Sequence, residues 1–143
     1  MTFNYRFLPD VALADAAFAV EADSWSELFL GAALATTSVM VALDDLRSDL
    51  SRILELTAAS VEQLLYDWLS EIVYLKDTEG LLVKMGEVAV APGDTWQVHA
   101  VLHGDRIDRD RQRLGQDVKA ITYHLYEVVQ DGDSYRARVV LDI

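Results

Sequence analysis

Two carboxylates stand at the C-terminal end of the sequence, where a strand pattern runs up to Asp142 and Ile143. Residues 135–142 place alternate side chains on opposite faces, which is typical of a half-buried strand. An ordered strand of this kind would hold the Asp142 side chain and the terminal carboxylate of Ile143 side by side. Two fixed carboxylates repel each other unless a cation neutralises them, so this end of the chain is the first candidate metal site.

A further acidic residue, Asp15, lies in an apolar stretch, residues 11–20, directly before a predicted strand. Burying a carboxylate among apolar side chains is costly unless the group is paired or bound to a cation. The sequence leaves two interpretations of Asp15 open: a cap at the end of the strand, or a ligand of a bound ion.

Other acidic residues occur in clusters that fall in predicted loops or turns. None of these clusters has the alternating acids, central glycine and closing glutamate of an EF-hand, so we predict turn formers and caps. The clusters are Asp44–Asp45, Asp105–Asp108–Asp110 and Asp131–Asp133.

The histidines do not suggest a zinc site. His99 and His103 fall in one predicted strand, where they would share a face at a separation of about 13 Å, too far for a common metal. Thr122 and His124 share a strand face, and Lys119 lies on the opposite face. We predict that His124 is a hydrogen-bonded core histidine and that Lys119 is a surface cation.

Length and composition exclude several classes of protein. The 143 residues suggest one domain, and the absence of cysteine excludes disulfides, thiolate metal sites and thiol nucleophiles. The net charge of −12 argues against stable direct binding to nucleic acid, because phosphate contacts need lysine and arginine. The apolar stretches are far too short to span a membrane, so no membrane association is expected.

Two helices and a series of strands must position the candidate residues. Ser24 and Ser60 each open a capping box, and apolar residues then recur at helical spacing over residues 25–37 and 61–76. Strand patterns cover residues 16–22, 47–57, 81–91, 95–103, 117–130 and 134–142, with turn signals at Pro92-Gly93-Asp94 and Asp131-Gly132. The pattern predicts an α+β domain: a mainly antiparallel sheet of hairpin-linked strands with two amphipathic helices packed on one face.

Several segments, in one order along nearly the whole chain, resemble the archease family. Val118-Lys-Ala-Ile-Thr-Tyr-His124 and the terminal Val140-Leu-Asp-Ile143 are similar to its C-terminal motifs. Trp68-Leu-Ser-Glu-Ile-Val-Tyr-Leu75 resembles its W-L-N-E-L-L-Y-L helix, and Tyr5-Arg-Phe-Leu8 is similar to its opening. Gly104 to Arg111 resembles its G-E-x-x-D-x-x-R segment, with Asp108 and Arg111 at the matching positions.

The resemblance implies a single archease-like domain over residues 1–143 that acts as an accessory protein rather than as an enzyme. Archeases support the RtcB-type RNA ligase of tRNA splicing and RNA repair, whose guanylylation and multiple turnover they promote. We therefore expect an RtcB-type ligase as the partner, in the cytoplasm, and leave the oligomeric state open. The residues that the resemblance marks as possible functional or partner contacts are Lys119, Thr122, His124, Asp108 and Arg111.

The resemblance also implies a metal site, because the family's ligands correspond here to Asp15, Asp142 and Ile143. All three supply oxygen, which favours Ca²⁺, with Mg²⁺ or Mn²⁺ as alternatives, over Zn²⁺. The chain departs from the family in two places. The segment before Asp15 lacks the His-Thr of the usual H-T-A-D, and Gln112 stands where the family often has histidine.

Three other interpretations remain open. A metal at this site could serve only as a clamp between the N- and C-terminal strands. The protein could instead be a general protein-folding helper or interaction module. A small metal-dependent hydrolase would need a general base near the metal, and only His124 is a candidate.

Overall fold

The computed structural model describes residues 2–9 and 16–143, and it contains seven strands and two helices within them. The strands are β1 (Phe3–Phe7), β2 (Ala16–Ala22), β3 (Leu50–Ala58), β4 (Leu81–Ala91), β5 (Trp96–Arg106), β6 (Ala120–Asp131) and β7 (Ser134–Asp142). The helices are α1 (Trp25–Met40) and α2 (Val61–Glu79), and a short 3₁₀ turn, Leu43–Asp45, follows α1.

The strands are divided between two antiparallel sheets, with both helices packed against strands of each sheet. The four-stranded sheet has the order β1-β2-β7-β6, and the three-stranded sheet has the order β3-β5-β4. Helix α1 contacts β2 of the first sheet and β4 of the second, while α2 contacts β6 of the first and β3 and β4 of the second. The predicted α+β class is confirmed, and the division into two sheets adds a feature that the strand pattern did not specify.

Both helices begin at the predicted serine caps. The hydroxyl of Ser24 accepts a hydrogen bond of 3.1 Å from the N–H of Glu27, and that of Ser60 accepts one of 3.2 Å from Gln63. Helix α2 ends at Gly80, whose φ of 64° is the left-handed conformation that glycine adopts without strain. The two serine bonds satisfy backbone N–H groups that the first turn of a helix leaves without partners.

The core lies between the helices and the two sheets, and a buried tryptophan links the helices. Trp68 of α2 is fully buried, and its indole N–H donates a 2.9 Å hydrogen bond to the carbonyl of Phe29 in α1. The two rings lie 6.0 Å apart between centroids. The Trp68 side chain is thus buried with its one polar group satisfied, which stabilises the contact between the two helices.

The predicted bounds differ from the structure at the ends of α1, α2 and β5 and at the starts of β3 and β6. Helix α1 continues beyond the predicted end at Thr37 to Met40, and the hydroxyls of Thr36 and Thr37 donate to carbonyls one turn back, at 2.9 and 3.0 Å. The 3₁₀ turn delays the start of β3 to Leu50, and β1 was not predicted at all. No helix in the described part of the chain is both long enough and apolar enough to cross a membrane.

Candidate metal and partner site

The end of strand β7 carries the candidate ligands that the structure describes. Asp142 is the last residue of β7 and pairs with Ala120 of β6, and its side chain is exposed. Ile143 follows the strand, and its side chain is half-buried against the core. The strand therefore presents the Asp142 carboxylate at the sheet's end, next to the last residue of the sequence, as predicted.

Asp15, the third proposed ligand, lies outside the described residues. Its covalent neighbour Ala16 begins β2 and pairs with Leu141, the residue before Asp142. Ala16, which follows Asp15, and Leu141, which precedes Asp142, thus lie opposite each other at one end of the four-stranded sheet.

The donors available at this end of the sheet fit a hard cation. Within residues 2–9 and 16–143, no three histidine, cysteine, aspartate or glutamate side chains converge on one point. The Asp142 side chain and the backbone of Ile143 offer oxygen ligands only, which suit Ca²⁺ or Mg²⁺ better than Zn²⁺. Because Ca²⁺ takes six to eight oxygen ligands, a site built on these residues would keep most of its shell for water or for a partner's oxygens.

Lys119 lies beside Asp142, so two of the predicted functional residues come together. The backbone N–H of Lys119 donates a 2.8 Å hydrogen bond to the carbonyl of Asp142. The Lys119 side chain is exposed, which confirms the prediction of a surface cation. It borders a groove between α2 and β6 that Tyr66 and Tyr74 also line.

Thr122 and His124 lie in an irregular segment of β6 rather than in a regular strand. The pairing of β6 with β7 shifts between Thr122 and Glu127, and Leu125 has a φ of 53°. The hydroxyl of Thr122 donates to the carbonyl of Val140 at 2.9 Å and accepts from the N–H of His124 at 3.3 Å. A hydroxyl thus helps to hold the bulge against β7 where the regular ladder is interrupted.

The prediction that His124 is a core histidine is wrong, because its side chain is exposed. An unbroken strand alternates its side chains between the two faces of the sheet, and the prediction assumed that alternation. The bulge breaks it and leaves the consecutive residues Tyr123, His124 and Leu125 all exposed.

Asp108 and Arg111, the other predicted functional residues, belong to a polar cluster at the end of β5. The guanidinium of Arg111 donates to Asp105 at 2.7 Å and to the carbonyl of Asp45 at 3.1 Å, and it lies 3.6 Å from the Asp108 carboxylate. Asp108 itself accepts from the N–H of Asp110 at 3.0 Å. These contacts tie the chain after β5 to the 3₁₀ turn and favour a structural role for both residues.

Asp105 is the centre of this cluster and was wrongly predicted to lie in a loop. It is a buried residue of β5, and its Oδ2 atom accepts from the N–H of Arg47 at 3.0 Å, from Arg111, and from Gln112 at 3.1 Å. Burial raises the pKa of this carboxyl, but the bonds from Arg47 and Arg111 more than offset that effect, so its pKa lies below the usual value.

Gln112 fills the position where a histidine was expected from the family, and it has its own buried role. Its side-chain amide donates to Asp105 and, at 3.0 Å, to the carbonyl of Arg106. Its side-chain oxygen accepts from the N–H of Asp108 at 2.9 Å. A neutral amide therefore supplies both a donor and an acceptor here, with no dependence on protonation.

His99 and His103 each pair with a glutamate on a different neighbouring strand. A ring nitrogen of His99 lies 3.0 Å from Glu55 of β3, and one of His103 lies 3.0 Å from Glu87 of β4. The two histidines thus take part in separate cross-strand pairs on the exposed face of the three-stranded sheet.

A tyrosine cluster was missed in the sequence and lies next to the candidate site. The rings of Tyr66 in α2 and Tyr123 in β6 are stacked, with 4.1 Å between centroids and 3° between planes. Tyr126 meets both rings edge-on, at 6.1 and 6.0 Å. Burial, together with the nearby Glu62, raises the pKa of Tyr126 well above its ordinary value. In the sequence, only the high density of tyrosines pointed to this cluster. The bulge that aligns the rings interrupts the strand alternation, so the alternation does not predict their contact.

With this geometry established, comparisons with known proteins define the family. Residues 5–143 match the Archease protein family (MTH1598/TM1083). The protein archease of Archaeoglobus fulgidus is 36% identical over 140 residues, covering 98% of this chain and 99% of the relative. That of Methanopyrus kandleri is 33% identical over 131 residues, covering 91% and 94%. The chain belongs to the archease family.

Solved structures agree with the fold. The solution structure of Methanobacterium thermoautotrophicum protein 1598 superposes with a TM-score of 0.79, at 29% identity, and covers 97% of this chain and 98% of its own. The crystal structure of a Thermotoga maritima archease, described as a possible chaperone, has a TM-score of 0.59 at 20% identity, with 95% and 96% covered. The second likeness concerns the fold alone.

Proposed function

We propose that this archease is a non-catalytic activator of an RtcB-type RNA ligase, which promotes the ligase's guanylylation and multiple turnover in the cytoplasm. The observation that carries the proposal is the backbone hydrogen bond from Lys119 to Asp142 at one end of the four-stranded sheet. These two residues, both marked by the resemblance, are distant in the sequence but are joined there, and both side chains are exposed. Family membership supports the proposal.

The proposed metal site consists of Asp15, Asp142 and Ile143, and the proposed ion is Ca²⁺, with Mg²⁺ or Mn²⁺ as alternatives. A cation bound there would neutralise adjacent carboxylates and offer open coordination positions to a partner. The contribution of the chain is positional: β7 fixes Asp142, and the bond from Lys119 fixes the backbone of Asp142 in turn. The exposed side chain of Lys119 adds a positive charge to the neighbouring groove between α2 and β6.

The net charge of −12 supports a protein partner rather than RNA. An RNA ligase must itself carry basic surfaces, because it binds phosphates. An acidic activator would be steered towards such a surface, so activation should weaken as salt screens the charges.

A general protein-folding helper is the second candidate function. The Thermotoga maritima relative described as a possible chaperone favours it, as do large exposed apolar side chains. Ile53 is 70% exposed and Met85 50% exposed on the outer face of the three-stranded sheet. This alternative predicts suppression of aggregation of unrelated unfolded proteins, which a dedicated ligase activator would not provide.

Multiple-turnover ligation by the cognate ligase, with GTP and Mn²⁺, tests the proposal directly. We expect the wild-type protein and an Asp94→Ala control to accelerate turnover, and Asp142→Ala to lose the effect. Asp94 is a suitable control because it is another exposed aspartate, in the turn between β4 and β5. No acceleration by the wild type would contradict the proposal, and lost acceleration with an unchanged thermal midpoint would exclude a purely structural clamp.

A further inference from the structure

The hydroxyl groups of the tyrosine cluster differ in their hydrogen bonds. The cluster consists of Tyr66, Tyr123 and Tyr126. The hydroxyl of Tyr66 donates to the carbonyl of Ile121 at 3.0 Å, and that of Tyr126 donates to the carbonyl of Glu62 at 2.7 Å. Both bonds join α2 to β6, so Tyr66 and Tyr126 have structural roles.

Tyr123 has no comparable structural role. Its side chain is 60% exposed, and its hydroxyl reaches only the exposed Gln63, at the long distance of 3.5 Å. One face of its ring stacks on Tyr66, which leaves much of the rest of the ring in solvent. A large exposed aromatic ring held in a fixed orientation is typical of a residue that anchors a protein interface.

The bulge in β6 is what presents this ring. Leu125 adopts a φ of 53°, a conformation that costs a non-glycine residue about 1 kcal/mol or more, and it is itself 44% exposed. The Nε–H of Arg138 donates to the carbonyl of Leu125 at 2.8 Å and so supports the bulge from β7. Bulges of this kind redirect side chains and occur often beside functional sites.

The charges around the tyrosine cluster indicate what would bind there. Glu62 and Asp67, both in the first two turns of α2, flank the ring cluster: the hydroxyl of Tyr126 donates to the carbonyl of Glu62, and Asp67 directly follows Tyr66 in the helix. Asp67 is also held in place by a 2.9 Å hydrogen bond from the side chain of Gln63. A guanidinium suits such a surface, because it stacks on aromatic faces and pairs with carboxylates.

We propose that the exposed ring of Tyr123, with Glu62 and Asp67 beside it, docks an arginine side chain of the ligase. This inference rests on the proposed function and names a partner surface distinct from the metal ligands. The groove between α2 and β6 extends the surface along Tyr74, which is 57% exposed, towards Lys119. The metal end of the sheet and the tyrosine cluster would then contact the partner together.

The experiment is a titration of fluorescently labelled archease with the cognate ligase, followed by anisotropy. We expect Tyr123→Ala to weaken the Kd about tenfold, and Tyr123→Phe to retain nearly wild-type affinity because the stacking face is preserved. Asp67→Asn should weaken binding at low salt and less at high salt. The matched control is Ile53→Ala, which removes another highly exposed apolar side chain, from the other sheet.

The outcomes separate this inference from the proposed function. If the wild type binds and Tyr123→Ala binds equally well, the docking surface is wrong and the activator proposal stands. If the wild type does not bind the ligase at all, both proposals are overturned. If the Tyr123 variants have thermal midpoints close to that of the wild type, a loss of affinity does not come from unfolding. Comparison with Tyr123→Phe separates the effect of ring stacking from that of the hydroxyl.

Discussion

The backbone N–H of Lys119 and the carbonyl of Asp142 are joined by a 2.8 Å hydrogen bond, one residue before the regular pairing of Ala120 with Asp142 begins. The bond extends the pairing of the two strands by one residue before the start of β6. It therefore holds the backbone of Lys119 next to Asp142, the last residue of β7. Both side chains remain exposed. The backbones of Lys119 and Asp142 therefore meet at one end of the sheet, and each side chain there is accessible to solvent and to a partner.

Calcium should stabilise the folded protein through this end of the sheet. A ligand that binds only the folded state, at about 100 times its Kd, raises the free energy of unfolding by about 2.7 kcal/mol. We expect added Ca²⁺ to raise the thermal midpoint of the wild type and of Asp94→Asn, but not that of Asp142→Asn. Equal shifts in all three proteins, measured by calorimetry, would place the ion elsewhere.

Gln112 should contribute strongly to stability despite its neutral side chain. Replacing it with leucine removes one donor to the buried Asp105 and the acceptor for the N–H of Asp108. Loss of such partners for buried groups costs about 1–3 kcal/mol, whereas Gln97→Leu at an exposed position of β5 should change stability by less than about 0.5 kcal/mol. Urea unfolding measures both, and equal costs would mean that Gln112 has no special structural role.

The Asp105 carboxylate should make stability depend on acid. Its pKa is lowered in the folded protein from an ordinary value of 3.8, so the unfolded state binds its proton more readily. The stabilisation is therefore fully present above the ordinary pKa and is lost as the pH falls through the lower folded value. The difference in unfolding free energy between wild type and Asp105→Asn should be constant near neutral pH and shrink below about pH 4. A difference that grows with acid would contradict the lowered pKa.

Local signals in the sequence predicted much of the fold. The serines at 24 and 60 start both helices, as the capping boxes indicated, and the strand pattern of residues 81–91 matches β4 without change. The turn signal at Asp131-Gly132 was correct to within one residue, since Gly132 and Asp133 connect β6 to β7. Each of these features depends on residues close together in the chain, which is why sequence alone was sufficient.

Features that depend on distant residues were not predictable in the same way. Asp105 was expected in a loop because acids favour turns, and nothing local shows that Arg47 and Arg111 would surround it. The exposure of His124 follows from a bulge that Arg138, from another strand, supports. The position of Asp142 at the end of β7 was anticipated, whereas the tyrosine cluster beside the site was not.

Gly104, the single glycine of β5, should not tolerate a side chain. A Cβ atom at this position would lie 2.1 Å from the carbonyl oxygen of Leu82, far inside van der Waals contact with backbone that cannot move freely. Gly104→Ala should therefore destabilise the protein by about 1–3 kcal/mol or more. The contrasting variant is Gly93→Ala in the turn before β5, where the nearest atom would be 3.2 Å away. Urea midpoints that fall equally in both variants would contradict this view of the β4–β5 contact.

The strain at Leu125 gives a final prediction, which links stability to partner binding. Glycine adopts a φ of 53° freely, so Leu125→Gly should leave the free energy of unfolding unchanged or raise it by up to about 1 kcal/mol. Valine is β-branched and tolerates this conformation poorly, so Leu125→Val should destabilise the bulge by about 1 kcal/mol or more.

If the bulge presents Tyr123 to a partner, Leu125→Val should also weaken ligase binding, whereas Leu125→Gly should keep the Tyr66–Tyr123 stack. Chemical unfolding and the anisotropy titration, applied to both variants, test the two effects. If the wild type and Leu125→Val are equally stable and bind the ligase equally well, the backbone conformation of the bulge has no functional consequence.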